Sequence, residues 1–171
     1  LVTKQPLSEP FYNLELQAGS RGLISPSLDF SGPLTDDGRL LYRFNALYRS
    51  EDSFRNFDAD NERFFVAPTI RWLINDRTDL TVSLEYTDDE GPADGGVVAI
   101  GDEVADIPFD RVIGELDDAR EQEILRVAYN FEHRFSDNWK IRNAFSYINS
   151  DAESTIFSAI SPSADEAGNI L

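Results

Sequence analysis

The sequence predicts an all-β chain, in which antiparallel up-and-down strands form a segment of a transmembrane β-barrel. Three observations lead to this fold class. Apolar and polar residues alternate along several stretches, which is typical of strands with one apolar and one mixed face. Short and long connections alternate along the chain, as they do in outer-membrane barrels. Aromatic residues of the apolar face lie near both strand ends, where a barrel meets the two membrane interfaces.

Seven strands are predicted from the alternation. Their approximate ranges are 11–19, 21–33, 39–50, 62–75, 78–88, 121–136 and 138–150. The alternating cores of these strands are 12–18, 24–30, 40–48, 64–72, 80–86, 125–135 and 139–147, with the apolar residues at even positions in the first five and at odd positions in the last two. These positions are called the apolar parity, and the positions between them the mixed parity. No residue of the apolar parity is charged, although 27% of the residues in the chain are charged. Each strand therefore has one face suited to lipid.

The connections between these strands predict which strand ends lie together. Three tight turns have suitable residues: Asp36-Asp37-Gly38, Asn75-Asp76-Arg77 and Ser136-Asp137-Asn138. Between them lie the long connections 50–62 and 89–120, followed by a tail from residue 151. All short turns are thus expected at one end of the sheet and the long loops at the other. On the apolar face, the aromatics near the short turns are Trp72, Phe135 and Trp139, and those near the long loops are Tyr48, Phe64, Tyr86 and Tyr147.

Composition excludes several classes of protein. The formal net charge of −17 argues against a nucleic-acid-binding surface, and 41% hydrophobic residues are too many for a disordered acidic chain. No run approaches the 18 or so apolar residues of a membrane-spanning helix. The chain has no cysteine, which excludes disulfides and thiolate metal sites. The excess negative charge lies in 50–62, 88–120 and 150–171, at the predicted long-loop end.

The alternation of apolar and polar residues also fits other folds. A soluble β-sandwich also shows alternating strands, and the stretch from Asp110 to Ala128 could form a short amphipathic helix in a loop.

Seven strands cannot close a bacterial barrel, which has an even number. The chain begins at Leu1 without Met and stops at Leu171 after loop-like residues. We therefore expect an internal piece of a larger barrel.

Carboxylate-rich stretches offer candidates for metal binding or acid–base chemistry, each with a simpler explanation. Asp58, Asp60 and Glu62 could present oxygens to a hard cation, but they lack the pattern of a calcium loop and are expected to form a solvated acidic loop. The pairs Asp88-Asp89 and Asp117-Asp118 could act as acid and base, but no apolar pocket isolates one carboxylate. The prediction is therefore that the chain is not an enzyme.

Three other features are interpreted structurally. Gly95-Gly96 and Gly101 fit neither phosphate-binding glycine pattern. His133, the single histidine, lies on the apolar parity beside the aromatic belt and is expected to be interfacial. The arginines of the mixed parity could contact a plug or guide a substrate, but pairing with Glu15, Asp29, Glu85 and Glu132 across strands is favoured. These arginines are Arg43, Arg49, Arg63, Arg71, Arg126, Arg134 and Arg142.

Short motifs in a fixed order resemble one protein family. They are Leu1-Val2-Thr3-Lys4-Gln5-Pro6, Ser31-Gly32-Pro33-Leu34, Asp37-Gly38, Leu41-Tyr42-Arg43-Phe44-Asn45-Ala46, Asp52-Ser53-Phe54-Arg55, Ala105-Asp106-Ile107-Pro108 and Glu132-His133-Arg134-Phe135-Ser136-Asp137-Asn138-Trp139. The set is similar to the TonB-dependent outer-membrane siderophore receptors of the ferric-siderophore type. The resemblance implies that residues 1–10 are the end of a plug domain and linker, and that 11–171 are the N-terminal portion of a 22-stranded transmembrane β-barrel.

The same resemblance implies a function. It predicts a fragment of an active transporter that imports ferric siderophores across the outer membrane of a Gram-negative-type bacterium with TonB-derived energy. The implied partners are outer-membrane lipid, the protein's own plug domain, TonB and a ferric siderophore, with no nucleic acid and no resident cofactor. Ligand contacts in the family lie on plug apices and variable loops, so no binding residue and no particular siderophore is assigned. The alternatives are a barrel without energy coupling, either a passive porin or an adhesin, and a soluble β-sandwich binding module.

Overall fold

The computed structural model describes residues 3–96, 99–100, 103–104 and 106–156. In this part of the chain every regular element is a strand. The strands are β1 Phe11–Ala18, β2 Ile24–Pro33, β3 Leu40–Glu51, β4 Asn61–Asn75, β5 Thr78–Pro92, β6 Ala99–Ile100, β7 Glu103–Val104, β8 Ala119–Ser136 and β9 Trp139–Thr155.

Seven of these strands form one antiparallel sheet in the order β1-β2-β3-β4-β5-β8-β9, and β6 and β7 form a separate small hairpin. Each large strand pairs with its neighbour in sequence, because the turns between them are short or the connections return to the same edge. The predicted all-β, up-and-down arrangement is thereby confirmed. β5 and β9 extend four and five residues beyond their predicted ends at 88 and 150, reaching Pro92 and Thr155.

The connections lie as predicted, with one addition. Residues 34–39, 76–77 and 137–138 join strands at one end of the sheet, while the connections from β3 to β4 and from β5 to β8 leave and re-enter the sheet at the other. The connection 19–23 is also short and lies at the long-loop end, so the alternation of short and long begins only after β2. Its Arg21 carbonyl accepts a hydrogen bond from the Asp52 amide at 2.9 Å, which joins this turn to the first long loop.

The apolar face is uncovered. Large side chains on it are exposed along its whole height, including Leu14 at 75% and Trp139 at 75%, and no second sheet packs on it within the described residues. A sandwich buries such a face between two layers, so the single-layer sheet does not have the architecture of a soluble β-sandwich. Among the described residues, no helix is long and apolar enough to cross a membrane.

The possible loop helix between Asp110 and Ala128 does not form. Residues 110–118 consist of turns and bends, and β8 begins at Ala119. From that point every residue down to Arg134 pairs with a residue of β9, apart from one irregularity near the turn, and cross-strand pairing prevails over the weak helical pattern. Leu1, Val2 and Ala105 of the quoted motifs, Gly101 and the tail 157–171 lie outside the described residues.

Above the aromatic belt, the apolar-parity face becomes acidic. Glu62 lies opposite Glu90, Glu90 opposite Glu121, and Glu121 opposite Glu153, so four strands present a continuous row of carboxylates. Like charges directly opposite each other destabilise a sheet. Loss of hydration, followed by the negative charges of Asp88, Glu121 and Glu62, raises the pKa of the Glu90 carboxyl.

Replacing Glu90 with glutamine is therefore expected to stabilise the full-length protein at pH 7 by about 0.2–1 kcal/mol, because it removes two like-charge contacts. A carboxyl with a raised pKa in the folded state binds protons more readily there, so its unfavourable contribution disappears as the pH falls through that pKa. The stabilising effect of Glu90→Gln should accordingly be present at pH 7 and vanish once the pH lies below 4.5, the ordinary pKa of a glutamate. Urea unfolding of both proteins at the two pH values measures it, and an effect independent of pH would contradict the explanation.

Candidate ligand-facing surface at the long-loop end

The polar face of the sheet carries the charged side chains of the mixed parity, and most of its arginines are paired. Asp29 accepts hydrogen bonds from Arg43 Nε at 2.9 Å and Nη2 at 2.7 Å. Glu85 accepts two from Arg126 Nη1 at 3.1 Å. The Arg142 Nε atom lies 2.6 Å from Glu132. These three cross-strand pairs confirm the structural interpretation of the arginines.

Other predicted pairings are wrong in detail. Glu15 accepts a hydrogen bond from Gln17 of its own strand at 2.7 Å, because no cation of the described residues lies opposite it on β2. Three further arginines pair with acids that the sequence interpretation had not assigned to them: Arg49 with Glu51 at 2.5 Å, Arg63 with Asp89 at 2.5 Å, and Arg71 Nε with Asp79 at 2.7 Å. Arg134 lies 3.8 Å from Glu132, one of the predicted acids.

The segment 3–10 lies against the polar face of β2 and β3, which the sequence did not reveal. Lys4 Nζ donates to Asp29 at 2.9 Å, and Arg43 Nη1 donates to the Gln5 carbonyl at 2.8 Å. Ser31, which is fully buried, accepts a hydrogen bond from the Leu7 amide at 2.9 Å and donates to the Tyr42 carbonyl at 2.7 Å. The segment is thus held by the charged side chain of Lys4 and by the backbone groups of Gln5 and Leu7.

At the long-loop end two neighbouring hollows of about 370 and 360 Å³ open at the rim of the sheet, lined by residues of the polar face, by the loops and by Glu62 and Glu90 at the rim. They share Phe54, Asn61 and Arg120, so they form one surface, here called the mouth hollow. It is completed by Ser53, Pro92, Ala93, Asp94, Ser154 and Ile156 on one side and by Arg21, Arg49, Glu51, Asp52, Glu62, Arg63, Asp89 and Glu90 on the other. A hollow with an aromatic ring, several guanidiniums and carboxylates can bind a polar or charged small molecule.

The charges of the mouth hollow are fixed by their pairing. Glu51 accepts hydrogen bonds from Arg49 and Arg21, and these two guanidiniums, Arg49 first, hold the pKa of its carboxyl below the usual range. A lowered pKa means that the pairs contribute stability at neutral pH and lose it only as the pH falls through that value. Glu51 is therefore ionised at the pH at which a ligand would bind, and two guanidiniums lie around one carboxylate.

A larger groove of about 890 Å³ lies on the same face at the short-turn end. Three cations surround Glu132 there: Arg142 at 2.6 Å, Lys140 at 3.4 Å and Arg134 at 3.8 Å. Size alone favours this groove, but it adjoins the short turns, whereas variable binding surfaces are built by long loops. The mouth hollow is therefore the better candidate.

The other sequence candidates lie apart from one another. Within the described residues, no group of three or more His, Asp or Glu side chains could hold a metal ion. Glu62 accepts a hydrogen bond from Tyr48 at 3.1 Å, and the Asp58 amide donates to the Leu116 carbonyl, so this acidic stretch is part of a loop scaffold. His133 contacts Thr78 at 2.8 Å and the Phe135 ring at 4.5 Å near a short turn, as an interfacial residue would.

The first acid pair is separated. Asp88 lies on the apolar-parity face opposite Glu123, while Asp89 faces Arg63 on the polar face, because neighbouring strand residues point to opposite sides. Asp118 is 4% exposed and accepts a hydrogen bond from the Glu115 amide at 3.2 Å. Sequence reasoning assigned no role to Phe54 and Arg55, although Arg55 stands out as the one cation in the acidic stretch 50–62.

Comparison with known proteins places this arrangement among outer-membrane receptors. The chain matches no protein-family model. It is 35% identical over 150 residues to the metal–pseudopaline receptor of Pseudomonas aeruginosa, with 86% of this chain and 21% of that receptor aligned. It is 29% identical to the ferrichrome outer membrane transporter and phage receptor of Escherichia coli K12, with 83% and 20% aligned. The chain thus spans about a fifth of the length of the curated relatives it matches.

Solved structures show the same fold. The ferripyoverdine receptor of the Pseudomonas aeruginosa outer membrane superposes with a TM-score of 0.81 at 25% identity, over 90% of this chain and 21% of the receptor. The ferric-catecholate import receptor of Escherichia coli superposes with a TM-score of 0.80 at 19% identity, over 90% and 25%. The seven-stranded sheet therefore corresponds to a barrel segment of such receptors.

Proposed function

Because this chain belongs to the family of TonB-dependent outer-membrane siderophore receptors, of which it is a β-barrel segment, we propose that the complete protein imports a metal–siderophore complex across the outer membrane. The observation that carries the proposal is the 35% identity to a metal–pseudopaline receptor across 86% of the chain. The relatives are transport receptors and not enzymes, and the proposal assigns no catalytic step to this chain.

The geometry supports this function in three ways. The apolar face of the sheet suits lipid contact between the aromatics near the short turns and those near the long loops. The polar face then lines the lumen, and residues 3–10, as the end of a plug domain and linker, enter it beside β2 and β3. The mouth hollow opens toward the outside, where a chelate would arrive.

Energy coupling is part of the proposal. A plug domain before residue 11 would close the lumen, and the TonB protein would act on that plug from the inner membrane. Segment 3–10 is continuous with the chain of the barrel and also hydrogen-bonds to Asp29 and Ser31 of β2. These contacts support a plug that is attached to the barrel both through the chain and through hydrogen bonds. The bound metal complex is cargo, with no resident cofactor.

The test is transport by the full-length protein in a Gram-negative strain that lacks its own siderophore receptors. Radiolabelled metal complexes of ferrichrome, ferrioxamine B, pyoverdine and pseudopaline are offered separately, with and without a functional tonB gene. We expect TonB-dependent uptake of at least one complex. Uptake that is equal without TonB would indicate a passive pore, and no uptake of any complex by surface-expressed protein would overturn the assignment to this ligand class.

A further inference from the structure

The two long loops at the mouth contact each other through one buried guanidinium. Arg55, in loop 52–60, is 7% exposed although its loop lies at the edge of the sheet. Its Nη1 atom donates to the Gly96 carbonyl at 2.8 Å and to the Arg111 carbonyl at 3.4 Å, both in loop 93–118. Its Nε atom lies 3.1 Å from Asp94 Oδ2, an ion pair too bent to be a hydrogen bond. A single side chain thereby connects one loop to both arms of the other.

The shape of the Asp94 turn explains why a carbonyl is available to Arg55. Asp94 Oδ1 accepts a hydrogen bond from the Gly96 amide at 2.8 Å, which closes a local turn. Gly96 has a φ of 86°, a conformation that side-chain-bearing residues rarely adopt. The turn therefore offers one guanidinium a carboxylate for an ion pair and a carbonyl for a hydrogen bond.

Backbone hydrogen bonds continue the contact between the loops. The Asn56 amide donates to the Asp110 carbonyl at 3.0 Å, and their side chains hydrogen-bond at 3.2 Å. The Asp58 amide donates to the Leu116 carbonyl at 3.0 Å. Solvent-exposed backbone bonds alone would exchange with water, but the buried Arg55 raises the cost of separation, because a guanidinium left without partners is expensive.

The joined loops form one wall of the mouth hollow. Phe54 lines both parts of the hollow, and its ring contacts the Phe109 ring of the other loop at 5.4 Å. The Arg55 guanidinium lies 5.4 Å from the centre of the Phe54 ring. Ala93 and Asp94 line the hollow from the second loop, whereas Arg55 lies behind this surface.

We propose that Arg55 is a positioning residue, which joins loop 52–60 to the described parts of loop 93–118, residues 93–96 and 106–118, and thereby holds the mouth hollow in its ligand-binding shape. The ligand then enters beside this wall and not between the two loops. The joining of the loops is independent of what the protein transports, whereas the effect on ligand affinity rests on the proposed receptor function. The experiment separates the two.

The ligand-free arm measures how often the loops are in contact in the full-length protein. In the full-length protein with any cysteine outside this chain replaced, Asn56→Cys with Asp110→Cys introduces a reporter pair at positions that hydrogen-bond through backbone and side chain; the chain itself has no cysteine. We expect rapid and complete disulfide formation under mild oxidation, and roughly tenfold slower formation when Arg55→Met is added, because the contacting state becomes a minor population. Arg39→Met, at the opposite end of the sheet, is the control. Equal oxidation rates with and without Arg55 would overturn the proposal.

The binding arm uses the same four metal complexes. Arg55→Met is expected to weaken binding about tenfold, because affinity falls in proportion to the population of the competent state. Oxidised Asn56→Cys/Asp110→Cys should restore it in the Arg55→Met background, and reduction should remove the gain. Failure of the disulfide to restore affinity, or loss of binding when it forms beside an intact Arg55, would contradict the positioning role. Should none of the complexes bind, the receptor assignment fails and the oxidation rates still decide how the loops are joined.

Discussion

Replacing Val127 with arginine is expected to lower the free energy of unfolding of the membrane-inserted, full-length protein by about 2–4 kcal/mol. Val127 lies on the apolar face, paired with Leu84 on one side and Tyr147 on the other. Its position in the register is midway between Phe131, which is in register with Trp72 through Leu80, and Glu123, which lies between Asp88 and Asp151. A charge there would meet the hydrocarbon near its midplane, where the cost is highest.

The matched control for Val127→Arg is Asn130→Arg on the same strand. Asn130 belongs to the polar face and is exposed. Ala128, which directly follows Val127, is unsuitable as a control because it is only 5% exposed and arginine would overpack its site. Urea unfolding in lipid vesicles measures both variants. The control should cost markedly less; equal costs, or a larger cost for Asn130→Arg, would mean that the two faces have been assigned the wrong way round.

Replacing Asp29 with asparagine is the second change with a large expected effect, a loss of about 3 kcal/mol in unfolding free energy. The side chains of Asp29 and Arg43 are 9% and 12% exposed, so the carboxylate cannot be replaced by water without opening the site. The substitution would leave the cations of Arg43 and Lys4 beside a neutral amide. Segment 3–10 would lose its charged anchor at the same time.

Asp89→Asn provides the comparison, since it breaks an arginine pair on the same face. Its partner Arg63 has a side chain that is 55% exposed, and such pairs contribute less than about 1 kcal/mol. Trypsin cleavage after Lys4 gives a second measurement that reports only on the segment. Cleavage should accelerate in Asp29→Asn and stay unchanged in Asp89→Asn, and an unchanged rate in both would show that Asp29 does not hold the segment.

The strands could be predicted because each has a local period of two that needs no knowledge of distant residues. The prediction ended β5 and β9 too early for a physical reason. At Asp88 and Asp151 the apolar-parity positions become acidic, and an alternation of apolar and polar residues no longer marks the strand. Backbone pairing continues, since strands outside lipid require hydrogen-bonding neighbours but not an apolar face.

The candidate site could not be predicted to the same extent. Arg55 reaches partners 41 and 56 residues away, and no spacing rule connects those positions before the loops fold. Lys4 likewise meets Asp29 only after the chain has turned back on the sheet. The arginine pairs Arg43–Asp29 and Arg126–Glu85 were predictable because they join adjacent strands, diagonally in the first case and in register in the second, and sequence parity already selects the face.

The length of β9 determines how high the mouth hollow stands above the apolar band of the sheet. From Asp151, where the apolar-parity face becomes acidic, the strand continues in register to Thr155, paired throughout with β8. At about 3.3 Å per residue and a tilt near 40°, this overhang raises the rim by roughly 10 Å. In the proposed receptor the mouth hollow would accordingly stand beyond the layer of lipid headgroups, at a height set by hydrogen-bonded strands.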